Sequence, residues 1–153
     1  MTLSDLLGAD CVEPALTGTT KADVLAELAE LVAPAVPAAD PARIREVLEQ
    51  RERLNTTAIG DGIAIPHGRM GGLSQVHAGF ARCAAGVDFD SVDGQPTRLF
   101  FVLLAPDDAA SMHLKALARV TRILKDESFR TRLLELGTRE EIYRALLEED
   151  ARF

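Results

Sequence analysis

The sequence predicts an α/β fold in which a mixed β-sheet is sandwiched between helical layers. Three observations carry that expectation. Residues 99–104 (Leu-Phe-Phe-Val-Leu-Leu) are continuously apolar, as a central strand covered on both faces must be. Segments on either side of the strand region carry apolar stripes at helical spacing. The order is two helices, a stretch of strands and turns, then three helices, which a layered α/β arrangement accommodates. Strand order does not follow from the sequence.

The elements can be justified in turn. Residues 10–16 read as a short extended segment that Pro14 confines to a sheet edge. Thr20-x-x-Asp23 resembles a capping box, opening a helix with Val24, Leu25, Leu28, Leu31 and Val32 on one stripe. Pro34 and Pro37 end that helix. Asp40-Pro41 is an N-cap followed by proline at the first helical position. The helix it opens turns Ile44, Val47 and Leu48 inward, and the next position on that stripe is Arg51. Residues 76–82 alternate Val76, Ala78 and Phe80 as a strand does, which sends His77 outward to an exposed structural role. Asp93-Gly94 signals a turn, and Pro106-Asp107-Asp108 closes the apolar strand. A helix over about 111–125 places His113, Ala116, Leu117, Val120 and Leu124 inside. A shorter one carries Phe129, Leu133 and Leu136, with Gly137 as its stop. Thr138-x-x-Glu141 is a second capping box, before a last helix with Ile142, Ala145 and Leu146 inside. Glu148, Glu149 and Asp150 read as a solvated tail.

Composition bounds the function. The 153 residues suit one domain over 1–153 with a real core, 47% apolar and 27% charged. A net charge of −7 makes nucleic acid and anionic membrane poor partners. No apolar run approaches the roughly 20 residues a bilayer span needs. The first residues, Met-Thr-Leu-Ser-Asp, lack a basic signal-peptide region. Cys11 and Cys83 are far apart and read as buried small hydrophobes in a reducing cytoplasm.

The chemistry concentrates in residues 55–68, Asn-Thr-Thr-Ala-Ile-Gly-Asp-Gly-Ile-Ala-Ile-Pro-His-Gly. Pro66 and Gly68 flank His67, so a strand ends in a presented imidazole with bare backbone around it. An imidazole that is neutral near pH 7 is a nucleophile. Arg51 continues an apolar stripe, so its head points inward or along the sheet. His113 lies in a first helical turn, where an anion is favoured. If the three converge, the pocket suits a phosphoryl group, whose transfer needs alignment and charge stabilisation. Thr56 and Thr57 would add hydroxyl donors, and Gly68 bare backbone N–H. Each residue also has a plainer reading: His67 as a structural residue, His113 as a cap on its own helix, Arg51 as a snorkelling side chain.

The run from Arg51-Glu52 through Thr57-Ala58-Ile59-Gly60-Asp61-Gly62-Ile63-Ala64-Ile65-Pro66-His67-Gly68 resembles the signature of phosphotransferase-system enzyme IIA domains of the fructose/mannitol type, which include the nitrogen-related regulatory proteins. Val92-Asp93-Gly94-Gln95-Pro96, the apolar strand and His113-Leu114-Lys115-Ala116-Leu117-Ala118 extend the likeness over nearly the whole chain. Asn55-Thr56 stands where the family often has Gly-Ser. The resemblance implies that family's fold. It also implies that His67 accepts a phosphoryl group from the histidine phosphocarrier protein HPr or its nitrogen-branch counterpart, with His113 and Arg51 in support. One ring nitrogen of His67 would donate to a backbone carbonyl, leaving Nε2 free to attack. The inferred chemistry requires no metal or cofactor. Regulation through phosphorylation state is the leading function, because no IIB or membrane domain is fused. Three alternatives stand beside it. One is a sugar-uptake IIA that passes phosphate to a IIB cysteine, and another is a non-phosphorylated protein-binding module. The last is a metal hydrolase using His67, His77 and His113, for which no ligand spacing speaks.

Overall fold

Residues 97–106 form the axis of the structure, a computed structural model that describes residues 1–37 and 39–153. In chain order the elements are α1 (Leu3–Leu6), β1 (Val12–Glu13), α2 (Lys21–Val32), α3 (Pro41–Leu54), β2 (Ala58–Gly60), β3 (Ile63–Ala64), β4 (His67–Met70), β5 (His77–Val87), β6 (Thr97–Pro106), α4 (Ala110–Ile123), α5 (Glu127–Glu135) and α6 (Arg139–Asp150). Of β6, only Arg98 reaches solvent. The strand pairs antiparallel with β5 and parallel with β3 and β4, in the sheet order β1-β5-β6-β3-β2 with β4 on β6. Leu99, Phe101, Leu103 and Ala105 pack into a core shared with α1, α4, α5 and α6. Phe100, Val102 and Leu104 pack into a second core under α2 and α3. The continuous apolar run follows from this: both faces of one strand are interior. The expected mixed sheet between helical layers is what the structure shows.

Local chemistry sets most helix starts. Asp40 Oδ1 accepts the Arg43 N–H at 2.9 Å, and Thr20 Oγ1 accepts that of Asp23 at 3.1 Å. Thr138 and Glu141 complete a reciprocal capping box. The proline-rich stretch ends α2 at Val32, followed by a 3₁₀ turn over Ala33–Ala35. Between β2 and β3 the chain reverses through Asp61 (φ 57°) and Gly62 (φ 77°), both left-handed, as a two-residue hairpin turn requires. Both cysteines are buried and free. Among the described residues, no helix is long and apolar enough to cross a membrane.

Four expectations are corrected. His77 is buried, at 8% exposure, because alternation away from Phe80 leads into the α2–α3 layer: His77 pairs with Leu104, which faces that core. Residues 148–150 are no solvated tail, since α6 runs to Asp150 and both Glu149 and Asp150 are buried. Asp150 accepts the Leu3 N–H at 2.9 Å and pairs with Arg119, so the end of α6 holds the unexpected N-terminal turn α1. Gly137 does not end α5 by a left-handed turn; α5 stops at Glu135, and the buried Arg82 donates to the Leu133 and Leu136 carbonyls. His67 does not close a strand but opens one. Pro66 breaks the edge, yet its carbonyl accepts the Leu103 N–H at 3.0 Å and pairing resumes at once.

Gly68 faces α3, where a Cβ would collide with Val47 Cγ1. Valine has little χ1 freedom with which to yield. Gly68→Ala is therefore expected to cost about 1–3 kcal/mol through overpacking. The check is denaturant unfolding, with a lower midpoint at unchanged m-value.

Candidate functional site

A cavity of about 750 Å³ opens at the sheet edge where β4, the last turns of α3 and the first turn of α4 meet. Strand β4 pairs only with β6, so its other edge is free. Alternation along β4 gives His67 and Arg69 one face and Gly68 and Met70 the other. His67 pairs with Leu103, whose side chain lies in the α4 layer, so the imidazole faces the start of α4. There it meets His113, with ring centroids 5.1 Å apart and planes at 75°. Arg51, in the last turn of α3, lines the same cavity. The structure thus brings together the three residues that sequence spacing left far apart.

The hydrogen bonds fix how each is presented. His67 Nδ1 lies 2.6 Å from the Ile65 carbonyl, to which it can only donate. That assigns the proton to Nδ1 and the lone pair to Nε2. Burial lowers the His67 pKa; the bond to Ile65 works the other way, and Arg51 adds to the lowering. His113 is pushed down to about 4, first by burial and then by His67, Arg69 and Arg51. It does not cap its helix: Ala109, the N-cap of α4, offers no side-chain cap, and His113 Nδ1 is buried with no partner. Arg51 Nη1 donates to both the carbonyl and the side-chain oxygen of Asn55, each at 2.9 Å. Those bonds use one end of the guanidinium and hold it at the close of α3.

Thr56 and Thr57 do not line the cavity. Thr56 Oγ1 donates to the Phe89 carbonyl at 2.8 Å and accepts the Ala58 N–H at 3.1 Å. The Thr57 hydroxyl donates to Glu52, a buried carboxylate that also accepts the Thr57 N–H and pairs with Lys21 at 2.9 Å. Both hydroxyls are committed to the loop behind Arg51. Glu52 as a holder of that loop, and Arg69 and Asp107 as lining residues, are roles that only the tertiary structure reveals. Period-two spacing from His67 is the signal for Arg69, and it is legible only once β4 is known to run on from His67 to Met70. His77 faces the opposite side of the sheet from His67. Among the described residues, no three of His, Cys, Asp or Glu gather in a metal-holding group.

Residues 5–149 match the family described as "Phosphoenolpyruvate-dependent sugar phosphotransferase system, EIIA 2". The chain is 42% identical over 146 residues to a nitrogen regulatory protein of Bradyrhizobium diazoefficiens, covering 95% of each. It is 39% identical over 131 residues to a nitrogen regulatory protein of Pseudomonas aeruginosa, covering 86% of this chain and 85% of that one. The solved nitrogen regulatory protein IIA-Ntr from Neisseria meningitidis aligns with a TM-score of 0.88 at 30% identity, over 94% of this chain and 98% of that one.

Both imidazoles are neutral at pH 7, which sets a pH dependence. Between about 4 and 6.5 the unfolded chain binds a proton at position 113 that the folded chain does not. Stability therefore falls as pH drops through that window. Imidazole NMR should place the His113 midpoint near 4, and the denaturant midpoint should decline from pH 6.5 to 4.

Proposed function

Because the chain belongs to the EIIA 2 family of the phosphoenolpyruvate-dependent sugar phosphotransferase system, a family of phosphocarriers, we propose that His67 is its phosphoryl acceptor and that its phosphorylation state is a regulatory signal. The donor is a phosphorylated histidine carrier protein of HPr type or its nitrogen-branch counterpart. The regulatory reading is supported by the nitrogen regulatory proteins, which match this chain over nearly the whole length of both. The chain works as one domain, in the cytoplasm, where its two free cysteines stay reduced.

The observation that carries the reading is the bond from His67 Nδ1–H to Ile65, which leaves a lone pair on Nε2 in a cavity edged by guanidinium. Nε2 attacks phosphorus in line, and the donor ring, protonated on its other nitrogen, departs as neutral imidazole with the electrons of the broken P–N bond. His67 keeps its Nδ1 proton throughout, and the charge it gains falls on the nitrogen already held by a carbonyl. Transfer between two imidazoles is nearly balanced in free energy. Catalysis therefore reduces to alignment and to neutralising charge on the phosphoryl oxygens. Arg51, held by Asn55, supplies fixed positive charge. His113 is neutral; with Nδ1 buried, its Nε2–H is the donor able to meet a phosphoryl oxygen. Gly68, next to the nucleophile on β4, brings bare backbone to the cavity wall.

Mixing the chain with phosphorylated HPr should give acid-labile, alkali-stable phosphate at one histidine, and His67→Ala should abolish the label. Equal labelling of that variant removes the assignment, and no labelling of the wild type favours a binding module. Transfer onward to a IIB protein would instead mark sugar uptake. Asn55→Ala, which removes one of the two acceptors holding Arg51, should slow labelling severalfold while leaving the unfolding free energy within about 0.5 kcal/mol of wild type.

A further inference from the structure

We propose that Arg69 is a second cation of the transfer site, a guanidinium that contacts the phosphoryl group as it moves onto His67; this rests on the phosphocarrier reading above. Arg69 follows His67 by two residues on β4, so both side chains leave the strand on one face. It lines the cavity with His67, His113 and Arg51, and it is exposed at the mouth. Arg51 is tethered to Asn55. Among the described residues no ion pair ties down Arg69.

Charge separates the roles of the two arginines. The cavity's ionised side chains are Arg51, Arg69 and Asp107. Asp107 offsets one positive charge, so Arg51 alone would leave the cavity neutral. Arg69 makes it positive, in a chain whose net charge is −7. An incoming phosphoryl group carries about −2. The field of Arg69 already reaches His113 and helps lower its pKa. During transfer, the bond from phosphorus to the donor nitrogen breaks as the bond to His67 Nε2 forms. The donor ring, already protonated on its other nitrogen, leaves as neutral imidazole with the electron pair, so no proton has to move. The charge meanwhile sits on the equatorial oxygens, two of which a planar guanidinium can engage at once. From the mouth, Arg69 meets the group while the donor still holds it.

The test compares wild type, Arg69→Gln and Arg69→Lys for transfer from phosphorylated HPr. Arg69→Gln should be slower by about tenfold or more. Arg69→Lys should recover part of the rate. In the Arg69→Gln background, Asp107→Asn should also restore rate, because it removes the charge that Arg69 offsets. A purely structural role for Arg69 would give no such rescue. Imidazole NMR supplies a readout independent of activity: the His113 midpoint should rise in Arg69→Gln. Wild-type transfer by Arg69→Gln, an unmoved His113 midpoint, or no rescue by Asp107→Asn each overturns the proposal. A wild-type chain that takes no label overturns the phosphocarrier reading instead.

Discussion

The pairing of the His67 segment with β6 is the constraint on which the site depends. Pro66 has no N–H to give, but its carbonyl accepts from Leu103, and β4 then runs parallel to β6 from His67↔Leu103 to Met70↔Pro106. Side chains alternate along a strand, so this one register sends His67 and Arg69 toward α4, and Gly68 and Met70 toward α3. A slip of one residue would exchange the two sets. The imidazole would then press on Val47, and Gly68 would leave nothing in the cavity.

That register also explains why the site is open. An edge strand is normally a liability, and here it is four residues long and bears an exposed arginine. With no strand beyond β4, α3 and α4 bracket the edge from opposite faces and leave a cavity between them. Partial burial keeps both imidazoles neutral, and the neighbouring guanidiniums reinforce that state. A neutral ring can attack phosphorus; a protonated one cannot.

Buried charges hold the two helices that carry Arg51 and His113. Glu52 joins α3 to Lys21 at the start of α2 and to Thr57 in the following loop. Asp150 joins α6 to α1 and, through Arg119, to α4. Arg82 closes the carbonyl end of α5. Each is a long-range contact, and each is buried with a partner, as the cost of desolvating a charge demands.

The sequence by itself determined what short-range physics controls. Helix starts follow from Thr20, Asp40 and Thr138, whose side chains satisfy their own neighbours' N–H groups. The interior strand follows from six consecutive apolar residues, and the proline and glycine on either side of His67 mark the segment that edges the cavity. Tertiary structure decided what depends on distant partners. It determined that His77 is covered, that Glu149 and Asp150 lie inside, that the two threonine hydroxyls are engaged elsewhere, and that Arg69 joins His67. The division has one cause. Capping and hydrophobic periodicity are satisfied within a few residues, whereas a side chain's burial and a cavity's charge are set by whichever segments pack there, up to 147 residues away in the case of Leu3 and Asp150.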